Sequence, residues 1–210
     1  MLGHRRFVSD SPDMASGNGA ATSPVWEGWE RITRFLESAR LAFARERNLW
    51  TSLEIESAEE VKLSAPTGQR AYRVSLHKHL AAVEDEDTLY GSVLVHRYAL
   101  VETAAVDRLS ADARDFGGIE DWGARLLTTT GQTWDSIKEG VAGAVEVAVV
   151  RNAYAHGTRR IDQSAENRLR AVGKAQPSAG DPVIMDYAAL KSFRARLRSL
   201  LHAGGFGRAH

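Results

Sequence analysis

The stretch TLYGSVLVHRYALVETAAVDRLSADAR, residues 88–114, decides the fold. Between Val93 and Val106 it is apolar on nearly every side of a 3.6-residue period, and such a helix needs neighbours around most of its circumference. It therefore reads as the centre of a helical bundle. The acids Glu84, Asp85, Glu86 and Asp87 stand just ahead of Thr88, where negative charge favours a helix amino terminus. Gly117-Gly118 ends the element.

Upstream, Trp26, Trp29, Ile32, Phe35, Leu36, Ala39 and Phe43 recur at spacings of three and four. This is an amphipathic helix with Ser23 as cap and Pro24 in its first position, reaching to about Leu49. Residues 1–23 are rich in Ser, Gly, Asn, Asp and Pro and have no apolar period, so they read as a disordered tail within which Met14 is a second candidate start. From Thr51 to Ala71, SLEIE (52–56) and VKLSA (61–65) alternate briefly, which predicts a short β-hairpin near residues 51–65, with Pro66-Thr67-Gly68 as an interruption. Helical spacing returns at Leu76, Leu80 and Val83.

Downstream, IEDWGARLLTT (119–129) and TWDSIKE (133–139) predict two short helices. An apolar helix then runs from Gly140 to His156, VIMD (183–186) reads as a short strand, and a last helix spans Tyr187 to His202 with Leu190, Phe193, Leu197, Leu200 and Leu201 on one face. The expectation is an all-α protein with one domain over residues 24–203, the helix 24–50 forming an extension and residues 204–210 a flexible tail.

A chain of 210 residues with 43% apolar composition can bury a core of that kind. The absence of Cys removes disulfides, thiol catalysis and thiolate metal sites, which fits a cytoplasmic location. No apolar run approaches the roughly 18 to 20 residues that cross a bilayer, and the arginines near the amino terminus are followed by no apolar signal region. Net charge is zero but unevenly placed. Residues 1–150 hold 16 Lys/Arg against 23 Asp/Glu, whereas residues 151–210 hold 11 against four. The carboxy-terminal part can attract phosphate, although Arg194, Arg196 and Arg198 also read as the solvated face of the last helix.

The chemistry-bearing stretch is VAVVRNAYAHG, Val147 to Gly157. Arg151 is a charge at the end of an apolar helix, costly to take out of water unless it is paired or faces a wet cleft. Asn152 and His156 are four apart and share a helix face, while Arg151 and His156 lie about 140° apart on an ideal helix. Gly157 ends the helix because it can turn left-handed. Each residue also has a structural reading. Arg151 can satisfy Glu102 or Glu146, Asn152 can bond the helix end, and His156 can complement the helix dipole. His77 and His79 would share a face only on a strand and have no third ligand, so no metal site and no cofactor is expected. His96 and Arg97 are close to Glu102 in turn count, as members of one cleft or as the polar stripe of a core helix. No nucleophile elbow and no nucleotide-binding glycine loop is present.

In its ordered combination of parts, the chain from about Leu89 to Leu201 resembles the HEPN superfamily, in particular its bacterial RNA-cleaving toxin and defence branch. Those parts are a long apolar helix with a central acid (ALVETAA, Glu102), short helices, a helix ending in Arg-Asn-x3-His (RNAYAHG), and a last amphipathic helix. The resemblance implies a metal-independent endoribonuclease, with Arg151, Asn152 and His156 as the site and Glu102 as an orienting acid. It also implies a homodimer through the motif helix, RNA as substrate, and a neutralising antitoxin or defence-system protein as partner. Arg159, Arg160 and Tyr154 are the expected RNA-binding residues. Chemistry supports the roles independently: RNA cleavage without metal needs a base for the 2′-hydroxyl, an acid for the leaving oxygen and positive charge on the phosphorane. Members paired with a minimal nucleotidyltransferase antitoxin often carry a tyrosine two positions after the histidine. Thr158 stands there, so that particular pairing is not implied.

Overall fold

The structure, a computed structural model, describes residues 23–53, 60–67, 70–110 and 116–207. The tail expected at residues 1–22 lies outside them. Among the described residues the chain forms seven α-helices and one two-stranded antiparallel sheet. The helices are α1 (Pro24–Ser52), α2 (Leu76–Glu84), α3 (Glu86–Leu109), α4 (Ile119–Thr128), α5 (Gly140–Ala155), α6 (Gln163–Ala171) and α7 (Tyr187–Ala203). The strands are β1 (Lys62–Thr67) and β2 (Arg70–Ser75).

Helix α3 starts where the Asp85 carboxylate accepts the Thr88 amide at 3.0 Å, which satisfies an orphan donor and sets a negative charge against the helix dipole. It packs against α1, α4, α5 and α7, the surrounding that its all-round apolarity requires. It ends at Leu109, with Ser110 left-handed at φ 48°, short of the expected end; residues 111–115 lie outside the described chain. In the core, the Trp122 ring of α4 stacks on Phe116 at 5.5 Å and meets Tyr98 edge-on at 6.3 Å. Fully burying one such side chain stabilises the fold by about 2 to 3 kcal/mol.

Helix α1 forms a wall of the bundle, because Trp26, Trp29 and Leu36 are buried in the common core. Ser23 occupies its cap position, but the helix is entered through the Ser23 carbonyl, which accepts the Trp26 amide at 2.8 Å, and the hydroxyl makes no capping bond. The Trp26 indole donates to the carbonyls of Phe206 and Gly207 at 3.0 and 3.2 Å. With the Phe206 ring also packed on the core, the expected flexible tail at 204–210 is instead anchored as far as Gly207; residues 208–210 are outside the described chain.

Other expectations shift. The hairpin pairs Lys62 with Ser75 through to Thr67 with Arg70, so its strands are the VKLSA region and the segment after Gln69. Ser52 and Leu53 belong to the end of α1, and residues 54–56 of the other expected strand fall outside the described chain. Pro66 sits within β1, which a two-stranded ribbon tolerates because both strands are edges. TWDSIKE makes a single 3-10 turn at Trp134–Ser136. Helix α6 appears in a stretch too polar for an apolar period to reveal it: Asp162 caps it by accepting the Ala165 amide at 2.7 Å, and only Glu166 and Leu169 are buried. VIMD joins no sheet; the Val183 amide donates to the Arg159 carbonyl at 3.0 Å. No described helix is long and apolar enough to cross a membrane.

Candidate functional site

Helix α5 is covered by α3, α4, α6 and α7 of its own chain. The cover that an apolar motif helix demands therefore does not call for a second copy. Its carboxyl end, from Ala155 to Gly157, is exposed, and Gly157 takes the left-handed turn at φ 70° that the sequence reserved for it.

Arg151 leaves this helix toward α3. Its guanidinium lies over the Tyr98 ring at 4.0 Å, and one terminal nitrogen sits 3.4 Å from both Glu102 oxygens. Of the two acids foreseen as partners, Glu102 takes the arginine. Glu146 is engaged elsewhere, by Lys174 and, at 2.6 Å, by Arg196. Burial pushes the Tyr98 hydroxyl up to about 12 against the opposing charge of Arg151, with Glu102 adding to the rise and Arg168 opposing it. Glu102 thus orients Arg151, not His156.

Asn152 and His156 face another way, onto a cleft of about 320 Å³ whose polar lining includes Thr158, Arg160, Asp162 and Arg168. Arg151 does not line it, as the 140° offset anticipates. Among the described residues no side chain hydrogen-bonds the His156 ring, which leaves both nitrogens for a ligand. Arg160 donates to the Gly180 carbonyl at 2.7 Å and has no carboxylate partner among the described residues. Arg168 is held as a fork on Glu120, at 3.2 and 2.8 Å. The sequence did not mark Arg168, because its placement depends on α6.

The opposite flank of the helix end opens into a cleft of about 390 Å³ bordered by Thr88, Ser92, His96, Tyr154 and Arg159. Here Tyr154 donates to the Asp87 carboxylate and also lies 3.2 Å from the Val183 carbonyl. Asp87 further accepts the Met185 amide at 2.6 Å and pairs with Arg159 at 3.0 Å. Burial and the Asp87 carboxylate hold the Tyr154 hydroxyl well above its ordinary range. Tyr154 and Arg159, expected as RNA-binding residues, form a clamp that ties the end of α5 to the start of α3. Arg97 does not join His96 either: it is buried against α1, bonded to Thr33 at 3.0 Å.

Gly91 makes the clamp possible, since a Cβ there would fall inside the Tyr154 ring. Gly91→Ala is expected to displace that ring, break its bond to Asp87 and lower stability by roughly 1 to 2 kcal/mol. A thermal melt equal to wild type would show that the ring moves freely. His77 and His79 lie on a helix, α2, not on a strand, and so point apart. His79 bonds Glu46 at 2.9 Å; with the Trp50 indole as the larger contributor, this holds the Glu46 carboxyl below its usual range.

Comparison of the chain with family models, with curated proteins and with solved structures finds no match.

Proposed function

We propose that this protein is a metal-independent endoribonuclease of HEPN type, a toxin or antiviral effector, working at the carboxyl end of α5. The observation that carries the reading is the unengaged His156 imidazole, opening with Asn152 onto a cleft whose rim bears Arg160 and Arg168. Imidazole titrates near neutrality and can take or give the proton that 2′-hydroxyl attack requires. Guanidinium groups bind phosphoryl oxygens in pairs of hydrogen bonds. Asn152 supplies an amide to the same cleft, where it can hold a phosphate or a 2′-hydroxyl.

One histidine serves as base or as acid, and the reaction needs both. Two copies joined at the exposed helix end would bring two imidazoles to one phosphodiester. Arg151, set on Tyr98 by Glu102, is then a preorganised charge on the border of that joint site. A second reading has its own support: Arg151 is already neutralised by Glu102 within one chain, which suits a module that holds RNA, a nucleotide or a protein partner without cleaving.

RNA binding should depend on Arg160, the cleft cation with no carboxylate partner among the described residues. Arg160→Glu is expected to weaken RNA binding about tenfold and to reduce the slope of affinity against salt by about one, because a phosphate contact displaces a counterion. Arg45→Glu, an exposed residue of α1, serves as the control. Equal losses in a filter-binding titration would remove the local role of Arg160.

A further inference from the structure

Among the described residues, the side chain with the most unpartnered buried nitrogens lies away from this cleft. Arg97 is 0% exposed, and two of its nitrogens, Nε and Nη1, have no hydrogen-bond partner among the described residues. Among the described residues its hydrogen-bond partner is Thr33, and its guanidinium lies 4.6 Å over the Trp29 ring. A guanidinium is rarely buried without a carboxylate, and unpartnered buried donors call for an explanation such as an ion. Burial pulls this group down to about 9, and the charge of Arg194 pushes it further the same way, with Glu37 and Tyr187 opposing. A second cation therefore faces the first.

Arg194 lines a cavity of about 230 Å³ together with Trp29, Tyr187, Lys191, Ala195 and Arg198, and Arg97 itself does not line it. Trp29 is the wall shared with Arg97. Glu37, the acid whose charge acts on Arg97, is engaged by Arg40 at 3.1 Å and by the Tyr187 hydroxyl at 3.2 Å. Among the described residues, Lys191, Arg194 and Arg198 have no carboxylate partner. Three cations line this cavity, Arg198 donating to the His202 ring at 3.2 Å, and a negative ligand there offsets their charge together with the repulsion that Arg194 exerts on Arg97. Such an interaction is strong because the buried charge is poorly screened.

We propose that the cavity between α1 and α7 is an anion site that takes a phosphate group, held by Lys191, Arg194 and Arg198 and favoured by the buried charge of Arg97. It shares no residue with the α5 cleft, so it stands or falls apart from the ribonuclease reading. A phosphate could be free or carried by a nucleotide. Charge and size favour a small phosphate or phosphate monoester over a neutral ligand, and guanidinium groups suit its geometry.

The test uses the full chain, with inorganic phosphate, AMP, adenosine and chloride compared at constant ionic strength by thermal shift and calorimetric titration. Phosphate and AMP should raise the melting temperature saturably, while adenosine and chloride should not. AMP binding about tenfold tighter than phosphate identifies a nucleotide as the source; equal affinity identifies the phosphate alone. Lys191→Ala/Arg194→Ala, on surface-accessible positions, should weaken binding about tenfold or more and leave RNA cleavage unchanged. Arg97→Met should melt no lower than wild type without anion, since it removes an unpaired buried charge, and should lose most of the phosphate-dependent shift. The proposal is overturned if wild type responds to phosphate as it does to chloride, if adenosine binds as well as AMP, or if the double variant binds phosphate as wild type does. An Arg97→Met protein that keeps the full phosphate response removes the buried arginine from the site.

Discussion

His156→Ala is expected to reduce RNA cleavage by about 10² to 10⁴, the contribution of a positioned acid or base. Arg151→Ala is expected to reduce it by about 10² to 10³, as for other preorganised electrostatic donors. The two losses should combine to much less than their product, because both act on one transition state. His156 is exposed and free of side-chain bonds, so its removal should leave the fold intact. Arg151 differs, since it also neutralises Glu102 and covers Tyr98. Arg151→Lys separates its roles: charge toward Glu102 survives, while the planar stack and the paired donors do not. Turnover of a labelled RNA, read beside circular dichroism, checks all three variants. Unchanged cleavage by His156→Ala would remove the cleft from the chemistry. Loss of thermal stability alone in Arg151→Ala would make its ion pair purely structural.

The largest stability effect is expected at Glu146. This carboxylate interrupts the apolar face of α5 and gathers Lys174 and Arg196, the latter lying also 2.6 Å from Glu139. Arg196 is 8% exposed. Glu146→Gln keeps the volume but leaves that guanidinium to Glu139 alone and should cost about 3 kcal/mol, as when one partner of a buried pair is removed. Burial pushes the Glu146 carboxyl up, but hydrogen bonds from Lys174 and Arg196, with their charges, overcome it and hold the group below its ordinary value of 4.5. A depressed folded pKa contributes stability that is present above the unfolded value and lost as pH falls through the folded one. Urea titrations should therefore show wild type losing stability below about pH 4.5, with a flatter acid limb in Glu146→Gln. A variant within about 0.5 kcal/mol of wild type at neutral pH, the range of ordinary surface changes, would contradict the burial of this network.

The central helix, the amphipathic α1 and α7, and the turn at Gly157 were legible in the sequence because each rests on local periodicity or on a backbone requirement. The partner of Arg151 was legible as one of two choices, Glu102 and Glu146, and helix packing made the selection. What was not legible depends on distance along the chain. Arg168 reaches the His156 cleft because Asp162 caps a helix in a polar segment and Glu120 of another helix holds the guanidinium. Tyr154 and Arg159 carry the chemistry of RNA contacts, yet Asp87, dozens of residues upstream, takes both. Arg97 reads as one polar residue beside His96, and only tertiary packing shows it to be buried with unpaired donors.

The α5 cleft is proposed to cleave RNA without metal. Purified wild-type protein incubated with RNA in excess chelator tests it most directly, with the product ends identified chemically. Cleavage should persist in chelator and leave a 2′,3′-cyclic phosphate, since the internal hydroxyl attacks. RNA left intact, or cut only when metal is restored and ending in a 3′-hydroxyl, would contradict it.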